Sequence, residues 1–134
     1  MIVSTRGRYA LRVLIDLAEH SEEGRIPLKD VAERQQISQK YIESIMTQLS
    51  KNGFVDGVHG KGGGYKLTRA PEDYRVGDIL RLTEGTLAPV ACLEKDAEPC
   101  PKKSVCRTIP MWTRLDELVE NYLDSVSVRD LMRK

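Results

Sequence analysis

The amino-acid sequence predicts a mainly α-helical fold that carries one small β-hairpin and ends in a long helix. Three observations support this prediction. Two short amphipathic segments meet at a tight break, a glycine-rich stretch of alternating polarity follows at 54–68, and apolar residues recur at helical spacing near the C-terminus. We therefore expect a winged helix-turn-helix domain at 1–84, a cysteine-bearing loop at 85–107, and a long dimerisation helix with a short final helix at 108–134.

The first predicted helix begins after Ser4, whose hydroxyl can cap it, and ends near Glu19. Its core-facing side consists of six apolar residues: Tyr9, Leu11, Val13, Leu14, Leu17 and Ala18. Arg6, Arg8 and Arg12 make the start of this helix basic, which indicates either a solvated face or a contact with phosphate groups.

The next two predicted helices match the helix-turn-helix plan. Pro27 suits the first turn of one helix, and Ser38 can cap the following helix, which Asn52 and Gly53 end. The buried stripe of that following helix is Tyr41, Ile42, Ile45, Met46 and Leu49. Its other side carries residues that can contact bases or phosphates in the major groove of DNA: Ser38, Gln39, Lys40, Glu43 and Ser44. A plain helical hairpin with a solvated face is the alternative.

A β-hairpin is expected from strands at 54–58 and 64–68, because the polarity of the residues alternates in both. The turn between them holds His59, Lys61 and several glycines, which can approach a phosphate or a narrow groove closely. The hairpin directly follows the helix that is expected to read DNA, so we interpret it as a wing that approaches DNA. A nucleotide-binding phosphate loop is disfavoured, since the Gly-Lys-Ser/Thr ending and the strand-then-helix setting are missing.

The rest of the chain has two helical patterns separated by an irregular stretch. A loop around Pro71 leads to a short helix predicted at 76–83, whose buried residues are Val76, Ile79, Leu80 and Leu82. From Ile109 the helical period returns with Trp112, Leu115, Val119 and Tyr122, accompanied by Leu118, Leu123 and Val126. The rest of this small domain cannot cover the apolar side of so long a helix. We therefore expect a helix from a second copy of the chain to pack against it. Ser127 can cap a last short helix, 128–132.

All three cysteines, Cys92, Cys100 and Cys106, lie in the irregular stretch, which is too long for an ordinary connection. Structural disulfides are disfavoured in a cytoplasmic chain with an odd number of cysteines. Three thiols on one loop can instead hold an iron–sulfur cluster or zinc, and Lys102 and Lys103 would favour their thiolate forms. Reactive redox thiols and inert cysteines are the alternatives.

The net charge of +1 is not typical of a non-specific nucleic-acid binder. Residues 1–75 hold 12 basic and 10 acidic side chains, and residues 76–134 hold 9 and 10, so DNA affinity is expected from a few placed cations and from dimerisation. The sequence has no run of eighteen apolar residues and no recognisable signal peptide, so we expect a soluble, cytoplasmic protein without membrane contact.

The chain resembles the IscR-type iron–sulfur cluster winged-helix transcription regulators over nearly its whole length. Six stretches carry the resemblance: Gly7-Arg8-Tyr9-Ala10, Ile37-Ser38 with Tyr41-Ile42-Glu43, Leu49 to Gly53, Gly60-Lys61-Gly62-Gly63-Gly64-Tyr65, Val76-Gly77-Asp78-Ile79, and the three-cysteine loop.

The resemblance implies a homodimer that binds a double-stranded DNA operator under the control of a cluster. The cluster is of the 2Fe–2S type, or in some members 4Fe–4S, and its ligands here would be Cys92, Cys100 and Cys106. The resemblance and the polar residues of the basic first helix, the predicted reading helix and the wing together give the full set of predicted DNA contacts: Arg8, Ser38, Gln39, Lys40, Tyr41, Ser44, His59 and Lys61.

The fourth cluster ligand departs from the pattern of this family. Ile109 replaces the histidine that usually follows the last cysteine, and Arg8 stands where nitric-oxide-sensing relatives can place a carboxylate from the partner chain. The remaining donors are Glu43, Glu94, Asp96, Glu98 and His59. We favour Glu43, which the loop of a partner chain could reach; a solvated or base-contacting Glu43 is the alternative.

The sequence therefore predicts a transcription regulator, a repressor or an activator, whose operator binding is switched by an iron–sulfur cluster. The signal could be cluster supply, nitric oxide or an oxidant, and a zinc- or thiol-switched regulator of the same fold is the second interpretation. An enzyme is disfavoured, because there is no Cys-x-x-Cys pair and no convincing Ser/His/Asp set, and the chain has only two histidines, His20 and His59. An interaction module that does not bind DNA also remains open.

Overall fold

The computed structural model describes residues 3–133 and confirms the predicted mainly α-helical fold with one antiparallel hairpin. Its helices are α1 (Thr5–Glu19), α2 (Leu28–Gln35), α3 (Gln39–Lys51), α4 (Val76–Glu84), α5 (Ile109–Ser125) and α6 (Val128–Leu131). The hairpin strands are β1 (Val55–Val58) and β2 (Gly64–Leu67), and short 3-10 turns occupy Ser21–Glu23, Pro71–Asp73 and Ala91–Leu93. Within this described range, no helix combines the length and the apolar character needed to span a bilayer.

Three serines begin helices as the sequence predicts. The hydroxyls of Ser4, Ser38 and Ser127 each accept a hydrogen bond, at 3.2 Å, from the backbone N–H three residues further on. Pro27 differs from the prediction, because it occupies the N-cap position of α2 in an extended conformation rather than the first helical turn. Its ring still fixes where α2 can begin.

The core is mainly aliphatic and lies between α1, α2, α3, α4 and α6, with the hairpin closing one end. Tyr74 is fully buried and ties the hairpin to this core, because its hydroxyl donates to the carbonyl of Phe54 at 2.6 Å and accepts from the N–H of Thr68 at 3.0 Å. Four residues expected on buried sides of helices are only half-buried: Tyr9, Leu11, Tyr41 and Leu82. Tyr41 stays near the surface, where its ring packs against the ring of Tyr9.

A buried carboxylate joins α1 to α2. Asp16 is only 2% exposed, and it accepts hydrogen bonds from Arg34 at 3.0 and 2.7 Å and from Gln35 at 2.9 Å. The hydrogen bond from Arg34 to Asp16 raises the pKa of this guanidinium above its usual value. Both donors belong to the last turn of α2, so Asp16 fixes the helix end that leads into α3.

A second ion pair joins α5 to α4. Arg81 of α4 donates to both carboxylate oxygens of Asp124 on α5, at 2.8 and 2.9 Å. This hydrogen bonding lowers the pKa of Asp124, so the contribution of the pair is complete at neutral pH and is lost as the pH falls through that lowered value. The backbone supports the same junction, because Val76 donates to the carbonyl of Val126 at 2.8 Å.

The outer face of α5 is apolar and exposed. Four large residues spaced by three or four positions lie on it: Met111, Leu115, Leu118 and Tyr122. Trp112 and Val119, which the sequence places in the same stripe, are half-buried. The helix has no fully buried residue within the chain.

We predict that Asp16→Asn destabilises the fold, because Arg34 and Gln35 then lose a charged acceptor that water cannot replace. Removing one partner of a buried ion pair costs about 3–5 kcal/mol, and partial exposure of Arg34 places the expected loss at roughly 2–3 kcal/mol. Urea unfolding followed by circular dichroism measures it.

The control is Glu33→Gln, on the exposed side of α2, which should change the free energy of unfolding by no more than about 0.5 kcal/mol. An Asp16→Asn protein as stable as the parent would show that Asp16 does not organise this part of the fold.

Candidate DNA-reading surface and cysteine pocket

The reading face of α3 is built by the turn that precedes it. Gln36 ends α2 in the left-handed conformation, with φ of 55°, and only Ile37 and Ser38 separate it from the first residue of α3. Ser38, Gln39, Lys40 and Ser44 are all exposed on the side of α3 that faces away from the core. These are the residues that a helix-turn-helix would place in the major groove.

Two grooves flank this face of α3. One, of about 570 Å³, runs from α1 along α3 and is lined by Arg6, Lys40, Glu43 and Ser44 among others. The second, of about 300 Å³, separates α3 from the hairpin, and Gln39, Glu43 and His59 line it. Glu43 therefore borders both grooves from the middle of the exposed face.

Arg6 is a functional candidate that the predicted set of DNA contacts did not include. Its guanidinium donates to the side-chain oxygen of Gln48 at 2.7 Å, and to the hydroxyl and carbonyl oxygens of Ser44 at 3.1 Å each. Arg6 thus fixes the start of α1 against the middle of α3. The sequence signal was its place in the basic start of α1, which does not show whether such a cation points to DNA or to a helix.

The hairpin tip carries the two predicted wing residues, His59 and Lys61, and both are exposed. Gly60 and Gly62 beside them have φ of 95° and 77°, which side-chain-bearing residues rarely adopt. At the base of the hairpin, Arg25 donates to the Asp56 carboxylate at 2.7 Å and to its carbonyl at 2.9 Å. The hydrogen bond from Arg25 lowers the pKa of Asp56.

The remaining two predicted contacts lie near the start of α1. Arg8 is exposed, and its guanidinium donates to the Thr5 hydroxyl at 3.2 Å. Tyr41 is half-buried and packs edge-on against Tyr9, with ring centroids 5.6 Å apart. The guanidinium of Arg12 lies 5.2 Å from the centroid of Tyr9 and adds a cation–π contact to this pair.

The three cysteines line one common cavity of about 440 Å³, which we call the cysteine pocket. Its other lining residues include Glu98, Lys103, Ile109 and Thr113, so the pocket lies between the irregular loop and the first turns of α5. Cys92 and Cys100 are exposed and Cys106 is half-buried, and all three are free thiols. The three residues that the sequence predicts as metal ligands therefore line the same cavity.

The thiol of Cys106 is hydrogen-bonded to the start of α5. Its sulfur lies 3.6 Å from the Thr108 hydroxyl, and that hydrogen bond, with backbone N–H groups of Thr108 and Ile109, lowers the pKa of Cys106. Within residues 3–133, however, no three histidine, cysteine, aspartate or glutamate side chains are close enough together to hold a metal ion as they stand. Metal binding would therefore require the loop to close further.

The two-helix reading unit and its wing define the class of this protein as a winged helix-turn-helix transcription regulator. The chain belongs to the Rrf2 family, described as iron-dependent transcriptional regulators, and matches that family over residues 3–134.

Related proteins cover almost the whole chain. It is 38% identical over 133 residues to protein rrf2 of Nitratidesulfovibrio vulgaris, which covers 99% of this chain and 88% of the relative. It is 36% identical over 132 residues to the HTH-type transcriptional regulator IscR of Aliivibrio salmonicida, covering 98% and 77%. The structure of CymR, the global cysteine regulator of B. subtilis, superposes with a TM-score of 0.78 at 34% identity, covering 98% and 95%.

These similarities confirm the predicted resemblance and the winged-helix fold. They also confirm that the protein is a DNA-binding transcription regulator and not an enzyme, since its relatives are named as regulators.

We predict that Lys40→Ala weakens DNA binding at all sequences, because an exposed lysine on α3 would contact phosphate rather than a base edge. The magnitude of the slope of log affinity against log salt should fall by about one for each lysine removed, and so by about two for a dimer on its operator. Fluorescence anisotropy at several salt concentrations measures it, with a duplex that the parent protein has selected from a random pool, called here the selected operator.

Arg129→Ala is the matched control, because Arg129 is an exposed cation on α6, away from α3. It should leave both affinity and salt slope unchanged. An unchanged slope for Lys40→Ala would remove Lys40 from the set of phosphate contacts.

Proposed function

We propose that the protein is a homodimeric regulator whose operator binding is switched by an iron–sulfur cluster held in the cysteine pocket. The observation that carries the proposal is the convergence of Cys92, Cys100 and Cys106 on one cavity next to α5. The cluster is of the 2Fe–2S type, which fits three thiolates and one further protein ligand better than a 4Fe–4S cluster bound by four cysteines. When bound, it supplies a redox-active and oxidant-labile centre, so its loss can act as the signal.

The donor chemistry of the pocket fits this group. Thiolate sulfur is the ligand that iron–sulfur clusters select, and the pocket holds three such donors on an irregular loop that has only one short 3-10 turn. The loop can therefore adjust without breaking a helix or strand. The lowered pKa of Cys106 favours the thiolate form, which is the form that binds iron.

The exposed face of α5 supports the homodimer. Met111, Leu115, Leu118 and Tyr122 repeat at spacings of four, three and four residues, which is the pattern of a helix that packs along a second helix. A second copy presents the same stripe about a twofold axis and covers it. Two reading helices related in this way match an operator with two half-sites about 34 Å or a multiple apart.

The start of the cysteine loop is hydrogen-bonded to the start of α1. Glu84 is the last residue of α4, directly before the loop, and its carboxylate accepts from the N–H and hydroxyl of Ser4 at 3.1 and 2.7 Å. Gly7 makes room for this contact, because a Cβ at that position would overlap the Glu84 carboxylate. A loop that changes shape on ligand binding would therefore act on the first turn of α1.

From there, two contacts reach the reading helix. Arg6 in the same turn of α1 holds Ser44 and Gln48 of α3, as described above. Gln48 in turn donates to the carbonyl of Leu82 in α4 at 3.2 Å. Arg6, Gln48 and Glu84 thus form a closed set of contacts among α1, α3 and α4, by which the state of the loop is passed to the DNA-reading face.

The experiment that tests the proposed function compares operator affinities of one preparation with and without its cluster. The anaerobically purified protein and the same protein stripped by chelator and oxidant should differ by on the order of 5–150-fold in Kd for the selected operator, the usual range of allosteric coupling. Cys100→Ser should lose this difference while retaining the fold by circular dichroism. Equal affinities of the two parent forms would contradict the switch.

We predict that Gln48→Leu weakens the coupling between the cysteine pocket and the DNA-reading face of α3. The substitution keeps a side chain of similar size but removes one acceptor of Arg6 and the donor to Leu82. Only the contacts of Arg6 with Ser44 then remain, so loop changes reach α3 less effectively. The loaded protein should retain its iron and visible spectrum, while the ratio of loaded to stripped operator affinity falls towards one.

Ser50→Ala, an exposed change on the same helix, is the control and should keep the parent ratio. If Gln48→Leu also kept that ratio, coupling between loop and reading helix would have to follow another route.

A second candidate function is a thiol- or zinc-switched regulator of the same fold. It is favoured by the likeness to the CymR structure, a cysteine regulator, and by the exposed free thiols of Cys92 and Cys100. Metal and sulfide analysis separates the two functions, since a zinc or thiol switch contains no acid-labile sulfide.

A further inference from the structure

A 2Fe–2S cluster takes four protein ligands, and three cysteines leave one position to be filled. In this chain the usual histidine position is Ile109, which has no donor atom. Five residues offer an oxygen or nitrogen donor elsewhere: Glu43, His59, Glu94, Asp96 and Glu98. The structure distinguishes them by position.

The geometry points to Glu98 as the fourth protein ligand of the cluster, an inference that rests on the proposed function. Glu98 lines the cysteine pocket together with all three cysteines, and none of the other four candidates does so. Glu43 and His59 border the groove between α3 and the hairpin. Glu94 borders a different cavity, which Glu84 also lines.

The sequence around Glu98 explains why it shares a side of the chain with Cys100. Glu98 precedes Pro99 and Cys100 precedes Pro101, and a residue before proline is held away from the helical conformation towards an extended one. In an extended chain, residues two positions apart face the same side. Asp96 falls outside this segment, because the N–H of Ala97 closes a turn on the carbonyl of Glu94 at 3.0 Å.

The charges at the pocket match a carboxylate ligand. Three thiolates and one carboxylate exceed the 2+ charge of an oxidised 2Fe–2S core by two negative charges. Lys103 lines the same pocket, and the first turns of α5 border it through Ile109 and Thr113. A helix of 17 residues carries partial positive charge at its N-terminus, which with Lys103 offsets the excess. On loading, each thiol gives its proton to solvent.

The test compares four single variants with the parent protein, each reconstituted anaerobically with iron and sulfide. Glu98→Gln keeps the shape of the side chain but weakens its donor oxygen, so it should shift the visible and circular dichroism bands and the electron paramagnetic resonance of the reduced cluster. Its cluster should also be lost in air at least about tenfold faster. Mutating a residue that only hydrogen-bonds to a metal ligand already weakens metal binding by about tenfold or more. Glu98→Cys should instead give a stable cluster with the resonance Raman pattern of four sulfur ligands.

Glu94→Gln is the matched control in the same loop, and Glu43→Gln tests a ligand supplied by the reading helix of a partner chain. Both should keep the parent spectrum, and circular dichroism should show that all variants are folded. A Glu98→Gln spectrum identical to the parent would overturn the assignment, and a simultaneous change in Glu43→Gln would transfer the role to Glu43. A parent protein that takes up no cluster would overturn the proposed function itself, and the Glu98 assignment with it.

Discussion

The contact between Asp16 and the last turn of α2 is the constraint on which the reading unit depends. A carboxylate buried to this degree is costly unless its oxygens are hydrogen-bonded, and here Arg34 and Gln35 supply all three bonds. Gln35 also accepts from Arg12 of α1, through both its side chain and its backbone carbonyl. Because Gln36 turns the chain directly after these residues, the orientation of α3 follows from how α2 is held on α1.

The cysteine loop contrasts with this rigid unit. Its residues are mostly exposed, and it contributes only Leu87 to the buried side chains of residues 3–133. Such a segment can change conformation at small cost to the fold, which suits a region that must gain or lose a ligand. The loop nevertheless lies between α4, which ends at Glu84, and α5, and both helices are hydrogen-bonded to the rest of the protein. A change in the loop therefore acts at the start of α1 and at the apolar face of α5.

Periodicity was enough to predict the helices, the hairpin and the serine caps, because each of these depends on residues close in sequence. The end positions shifted by a residue or two, as for Pro27, because cap geometry rather than composition decides them. Long-range contacts could not be predicted in the same way. Nothing in the sequence indicates that Arg6 faces Ser44 rather than solvent, since only the packing of α1 on α3 brings them together.

The same limit explains the choice of the fourth ligand. From the sequence, Glu43 was favoured by an argument about function, and it remains a prediction that requires the loop of a second copy. Glu98 is one of the other four candidate donors in the sequence, and only the fold shows that it lines the same pocket as the cysteines. Membership of the pocket depends on how the proline-rich segment turns back towards α5, and the spacing of Cys92, Cys100 and Cys106 does not encode that path.

The central claim is that the cysteine pocket holds an iron–sulfur cluster, and one measurement tests it most directly. The protein is purified anaerobically, its ultraviolet–visible spectrum is recorded, and iron and acid-labile sulfide are counted per chain. Sulfur-to-iron charge-transfer bands with about two irons and about two sulfides per chain are expected for a 2Fe–2S cluster. A colourless protein that contains zinc, or no metal after anaerobic reconstitution, would contradict the claim and place the switch in thiol or zinc chemistry.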